Sequence, residues 1–176
     1  MDNDGSITMR LLCAVGQRDG AQVVHDALSL VGDVDFLALV HVIDDRPRHG
    51  VEAQRGLLRR ISPDRQREIG LAEEAAGRVT LSEADSAARS TGKQIAAIET
   101  RLERGKPEQH IVALARQLQV DLVAIRTREY PDGFPRIGPP SVGHTARFVV
   151  DHAPCPVLLL RLVVNGHAET GEPRIY

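Results

Sequence analysis

A chain of 176 residues, 42% hydrophobic and 26% charged, has the size and balance of one ordinary folded domain, which excludes global disorder. Its formal net charge of -2 supplies no long-range attraction toward nucleic acid or anionic lipid. Two cysteines, Cys13 and Cys155, are too few for a secreted disulfide scaffold and are expected as buried, reduced thiols.

The opening MDNDGSITMR is polar and acidic, so no signal peptide is expected. No apolar run approaches the roughly 20 residues that a membrane helix needs. A cytoplasmic protein is expected, with mobile ends at residues 1–8 and 164–176 around one domain at 9–163.

From Met9 the run MRLLCAV, bounded by Gly16 and Gly20, predicts a buried first strand ending near Val15. Across 21–31, Val24, Ala27, Leu28 and Val31 recur at helical spacing, and Gly32 is placed to end that helix in a left-handed conformation. Residues 35–43, DFLALVHVI, are almost continuously apolar, the pattern of a strand covered on both faces. The arginine-rich stretch 44–61 is broken by Pro47 and Gly50 and interleaved with Asp44, Asp45 and Glu52. With no aromatic platform for bases, it predicts a solvated surface and no nucleic-acid site. Ser62 and Pro63 make an N-cap and a first helical position, opening a long alanine-rich helix that ends near Gly92.

Residues 94–102 alternate between Gly92 and Gly105 and predict a third strand. Pro107 opens a helix with Ile111, Leu114, Ala115 and Leu118 on one face, and DLVAI at 121–125 is the fourth strand. After a loop containing Pro131, Gly133, Pro135, Gly138, Pro139 and Pro140, Ser141 is expected to cap a last helix with Val142, Ala146, Val149 and Val150 inward. PVLLLRLVV then forms the fifth strand. This alternation predicts an α/β fold: a doubly wound, Rossmann-like five-stranded parallel sheet of order 3-2-1-4-5 with helices on both faces. Ligands of such sheets bind beyond the carboxyl ends of the strands, where strand order reverses. The loops at 16–20 and 126–140 are therefore expected to meet at a site.

SVGHTARFVVDHAPCPVLLLR, from Ser141 to Arg161, resembles the closing helix and strand of the universal stress protein family, above all in its HAPCPV turn. LALVHVID from Leu37, ETRLERGKPEQHIVALA from Glu99 and DLVAI from Asp121 are similar to the family's other landmarks, in the expected order, so the resemblance spans residues 9–162. It implies a regulatory or interaction domain in the stress response. It also implies a homodimer through the last strand, whose apolar edge should not stay open.

ATP-binding members of that family share a loop after the fourth strand, G-x2-G-x9-G followed by serine or threonine. Anchored on Ser141, the three glycine positions here hold Thr127, Tyr130 and Pro140; anchored on the strand, the first two are Arg126 and Glu129. Gly16, in AVGQ, stands where the family's AVD places an acid. Glycines let backbone N–H groups come close to a phosphate, and side chains obstruct that approach. Pro139 and Pro140 carry no N–H at all. A capping Ser141 and the amides of Val142 and Gly143 remain, worth about 0.3–1 kcal/mol to an anion. The candidate pocket residues are Gly16, Val42, Arg126, Thr127, Arg128, Tyr130, Pro140, Ser141, Val142 and Gly143. No ordinary ATP binding and no cofactor are expected. The alternative is an adenine nucleotide (ATP or AMP) or another anionic small molecule held by Arg126, Arg128 and Arg136 in place of the glycines.

The seven histidines show no close pairing with cysteine or carboxylates of the zinc-site kind, so no metal is expected. His41 and His152 are expected to serve packing or local hydrogen bonds, and His144 is either solvent-exposed or a ligand contact in the first turn of the last helix. Neither a G-x-S-x-G elbow nor a P-loop occurs. No catalysis is expected, and no membrane or nucleic-acid partner.

Overall fold

The computed structural model describes residues 9–45, 62–127 and 142–161. In chain order the elements are β1 (Arg10–Ala14), α1 (Gly20–Leu30), β2 (Val34–Asp44), α2 (Pro63–Ser90), β3 (Ile95–Gly105), α3 (Pro107–Gln117), β4 (Leu122–Arg126), α4 (His144–His152) and β5 (Val157–Leu160). The five strands form one parallel sheet in the order β3-β2-β1-β4-β5. The predicted doubly wound topology is the one observed.

Unbroken apolar runs make the central strands because both faces of the sheet are covered. Leu11 and Cys13 of β1 and Leu37 and Leu39 of β2 pack beneath α1 and α2, through Val24, Leu28 and Ala84. Leu12, Ala38 and Val40 point the other way, toward Ile111 and Ala115 of α3 and Ala146 and Val149 of α4. Burial without a charge partner raises the Cys13 thiol to about 12, so it stays protonated and inert at neutral pH. Cys155 departs from the expectation of two buried thiols: it is free but only half-buried, because it lies in the turn before β5 rather than within a strand.

The start of α2 follows its capping signal. Arg65 N donates to Ser62 Oγ at 3.3 Å, with proline at the head of the helix. Its end follows as well, since Gly92 takes a left-handed φ of +71° just beyond Thr91. Four expectations are corrected. Gly32 is not left-handed; α1 ends at Leu30 with Val31 already extended at φ -110°, so the chain leaves the helix one residue before the glycine. β3 runs on to Gly105, paired residue for residue with β2 as far as Asp44↔Gly105. α4 begins at His144 with Gly143 as its N-cap at φ +90°, in place of the expected Ser141, which lies outside the described residues. Val150 is 47% exposed, because a helix of nine residues has room for only a narrow inward stripe, filled by Ala146 and Val149.

Of the expected tails, residues 1–8 and 164–176 lie outside the described residues, as do the arginines of 46–61. Among the described residues no helix is long and apolar enough to cross a membrane.

Candidate functional site

β1 and β4 end side by side where the strand order reverses, and their carboxyl ends, with Val40, His41 and Val42 of the longer β2, floor a cavity of ≈ 350 Å³. Ala14, Val15, Val40, Val42 and Ile125 supply an apolar floor, with Pro107 and Ile111 of α3 on one side and Gly16, Arg18 and Asp19 at the head of α1 on the other. Thr127 and Thr145 add hydroxyls at the rim. The position agrees with the carboxyl-end rule for open α/β sheets. A larger depression of ≈ 600 Å³ lies between α2 and β3, lined by Glu74, Arg78, Asp85 and Arg104 among others. Arg104 is engaged locally, with Glu73 at 3.1 Å and with Glu74 at 3.3 Å, and the depression lies beside the carboxyl ends of β2 and β3, away from the reversal of strand order between β1 and β4.

The cavity's geometry is fixed from below by hydrogen bonds of the sheet. Val15 N donates to Val40 O at 2.9 Å. The buried His41 donates through Nδ1 to Val15 O at 2.8 Å, tying β2 to the end of β1. Thr127 N donates to Leu160 O at 2.9 Å. Thr127 is the residue at the first glycine position in one register, and its amide is thus committed to β5 rather than presented to a ligand.

The dominant electrostatic feature joins two ends of the site. The Arg126 guanidinium, at the last residue of β4, is bonded through Nη1 to Asp19 Oδ2 at the head of α1, with side chains only 10% and 15% exposed. Burial pulls the pKa of Arg126 down from its ordinary value, but an arginine remains charged in any protein environment. The carboxylate beside it is therefore what makes a buried cation tolerable. Asp19 is the N-cap residue of α1, yet its side chain makes no capping hydrogen bond. Gly16 gives the carboxylate its room, since a Cβ there would stand 2.6 Å from Asp19 Oδ1.

Of the residues singled out by sequence, Gly16, Val42, Arg126 and Thr127 come together in this cavity. Val142 packs instead onto the core under α3 and α4, and Gly143 caps α4. Arg128, Tyr130, Pro140 and Ser141, with Arg136, lie outside the described residues. Gly16 stands at the position where the family places an acid, and the carboxylate of this site is three residues later, at Asp19, facing Arg126. His144 is 71% exposed and approaches Glu108 Oε1 at 3.5 Å. His152 stacks on Phe148 at 4.1 Å and donates to its carbonyl at 2.9 Å, a local contact as expected. Sequence reasoning did not place Asp19, Thr145 or Ile111 in the site. For Asp19 a signal existed, an aspartate immediately before a helix, but that signal predicts capping and not the contact it makes.

A model described as the Universal stress protein family matches residues 8–161. No curated protein matches the chain. Among solved structures, the fold is similar to universal stress protein UspA from Lactobacillus plantarum, with TM-score 0.61 and 20% identity, covering 87% of this chain and 97% of that one. It is similar to a universal stress protein family protein from Arabidopsis thaliana with AMP bound, with TM-score 0.56 and 16% identity, covering 89% and 94%. It is also similar to a universal stress protein from Archaeoglobus fulgidus in complex with dAMP, with TM-score 0.53 and 21% identity, covering 87% and 98%.

Proposed function

We propose that this chain, which belongs to the universal stress protein family, is a cytoplasmic regulatory domain of the stress response that acts through protein contacts, catalyses no reaction and does not bind ATP in the ordinary manner of its family. The observation that carries the reading is the Asp19–Arg126 pair in the cavity. A triphosphate entering there meets a carboxylate already seated on the arginine nearest the strand ends, and like charges at such distances repel. The amide of Thr127, spent on Leu160 O, supports the same reading.

Calorimetry of the full chain with ATP, AMP and cyclic AMP, with and without magnesium, tests it. The expected result is no affinity tighter than about 1 mM, some 4 kcal/mol of binding free energy, and no phosphate released from ATP over hours. A micromolar affinity for ATP overturns the reading.

The second reading, an adenine-nucleotide or other anionic small-molecule binder, draws on the open cavity at the strand-order reversal and on the AMP- and dAMP-bound structures of similar fold. Arg126, offered by that reading as a substitute for the glycines, already carries Asp19. We infer in addition that the chain dimerises through β5. Among the described residues that strand is hydrogen-bonded only to β4 and ends the sheet, and an open apolar edge invites pairing. Light scattering at micromolar concentration should give twice the chain mass; a monomer there overturns the dimer.

A further inference from the structure

An aspartate at the N-cap of a helix ordinarily turns its carboxylate onto the second or third amide of the first turn. Asp19 does not: its backbone carbonyl accepts from Val23 N at 2.9 Å, while its side chain makes no cap bond and reaches Arg126 instead. The two residues stand 107 positions apart, so the contact exists only because the topology lays the head of α1 beside the end of β4. Gly16 keeps the space beside the Asp19 carboxylate free of a side chain. A guanidinium nine-tenths buried at the carboxyl end of a central strand, beside an otherwise mostly apolar cavity, is the group that would take a carboxylate or phosphate from a ligand, because its fork matches two oxygens of either. Here the protein itself supplies one such oxygen, Asp19 Oδ2, to Arg126 Nη1.

We propose that Asp19 is an internal counter-anion that occupies the anion position of Arg126 and so restricts the cavity to uncharged ligands, excluding phosphates and carboxylates. This rests on the reading that the site does not take ATP in the ordinary manner and gives that reading a residue. Specificity then comes from a repulsive element as well as an absent attractive one: an anionic ligand must break the pair and leave Asp19 facing its own charge.

Asp19→Ser is the test, because serine removes the charge while itself being a favoured N-cap residue. Binding of inorganic phosphate, AMP and adenosine is measured on the full chain by calorimetry. For phosphate and AMP, Asp19→Ser should bind at least tenfold more tightly than the unmodified chain, and for adenosine the two should agree within twofold. Adding Arg126→Ala to Asp19→Ser should abolish the gain. No gain for either anion in a variant with the unmodified chain's circular dichroism overturns the proposal, as does an equal gain for adenosine or a gain that survives loss of Arg126. If Asp19→Ser fails to fold, Asp19→Asn, nearly isosteric and also a good cap, is read in the same way. The two readings fail separately: tight ATP binding by the unmodified chain defeats the first, and an unchanged phosphate and AMP affinity in the Asp19 variants defeats only this one.

Discussion

Arg126→Ala should cost about 3–5 kcal/mol of folding stability, the range for removing one member of a buried ion pair. The loss comes less from the vanished attraction than from what is left behind. Asp19, 15% exposed, keeps a charge that water reaches poorly and that no longer has the guanidinium opposite. The double variant Asp19→Asn, Arg126→Met should therefore be markedly more stable than Arg126→Ala, since it removes both charges and fills the volume with apolar atoms. Urea unfolding separates the cases through midpoints at constant slope. Arg89→Ala is the comparison: its pair with Asp85 at 2.9 Å is exposed at the arginine, and its loss should hardly move the midpoint. Equal costs for the single and double Arg126 variants would show that shape, and not charge, fixes the head of α1.

That pair also marks where the sequence stops being informative. The central strands are legible because an unbroken run such as DFLALVHVI has one stable solution, burial on both faces, and α2 is legible because Ser62 and Pro63 act locally, within one turn. Errors gather where a residue has two acceptable roles. Gly32 can end a helix in the left-handed region or simply follow one that has already ended, and here the extended Val31 decides. Val150 is apolar and helical, but it sits at the margin of a stripe that Ala146 and Val149 already fill, and helical spacing alone does not say how wide that stripe is. The site is less legible still. Gly16 and Thr127 could be placed from loop position, whereas the partner of Arg126 could not, since its identity depends on strand order and on the carboxylate declining its local capping role. Opposite charges 107 positions apart leave no periodicity and no spacing rule to find.

Gly77 and Gly70, two glycines of the same helix, should respond to substitution with opposite signs. Both lie within α2, so intrinsic propensity alone predicts that any residue but proline helps each of them, alanine by about 0.5–1 kcal/mol. A Cβ at Gly70 meets nothing within 4 Å, so Gly70→Ala should realise that gain. At Gly77 the same atom would stand 2.6 Å from Leu102 Cδ1 and 3.0 Å from His41 Cδ2. The leucine tip can swing aside, but the buried imidazole is held by its 2.8 Å bond to Val15 O. A branched side chain therefore has to push α2 off the sheet or drive His41 toward the cavity it lines. Gly77→Val should lose about 1–3 kcal/mol, the range for overpacking a close contact, with thermal melts of the two variants falling on opposite sides of the unmodified chain. Because the displaced imidazole anchors the end of β1, the loss at Gly77 should also change ligand affinity in any variant whose cavity binds one. Gly70→Ala should leave that affinity untouched. A stabilised Gly77→Val would mean that α2 does not rest on His41 as closely as these distances require.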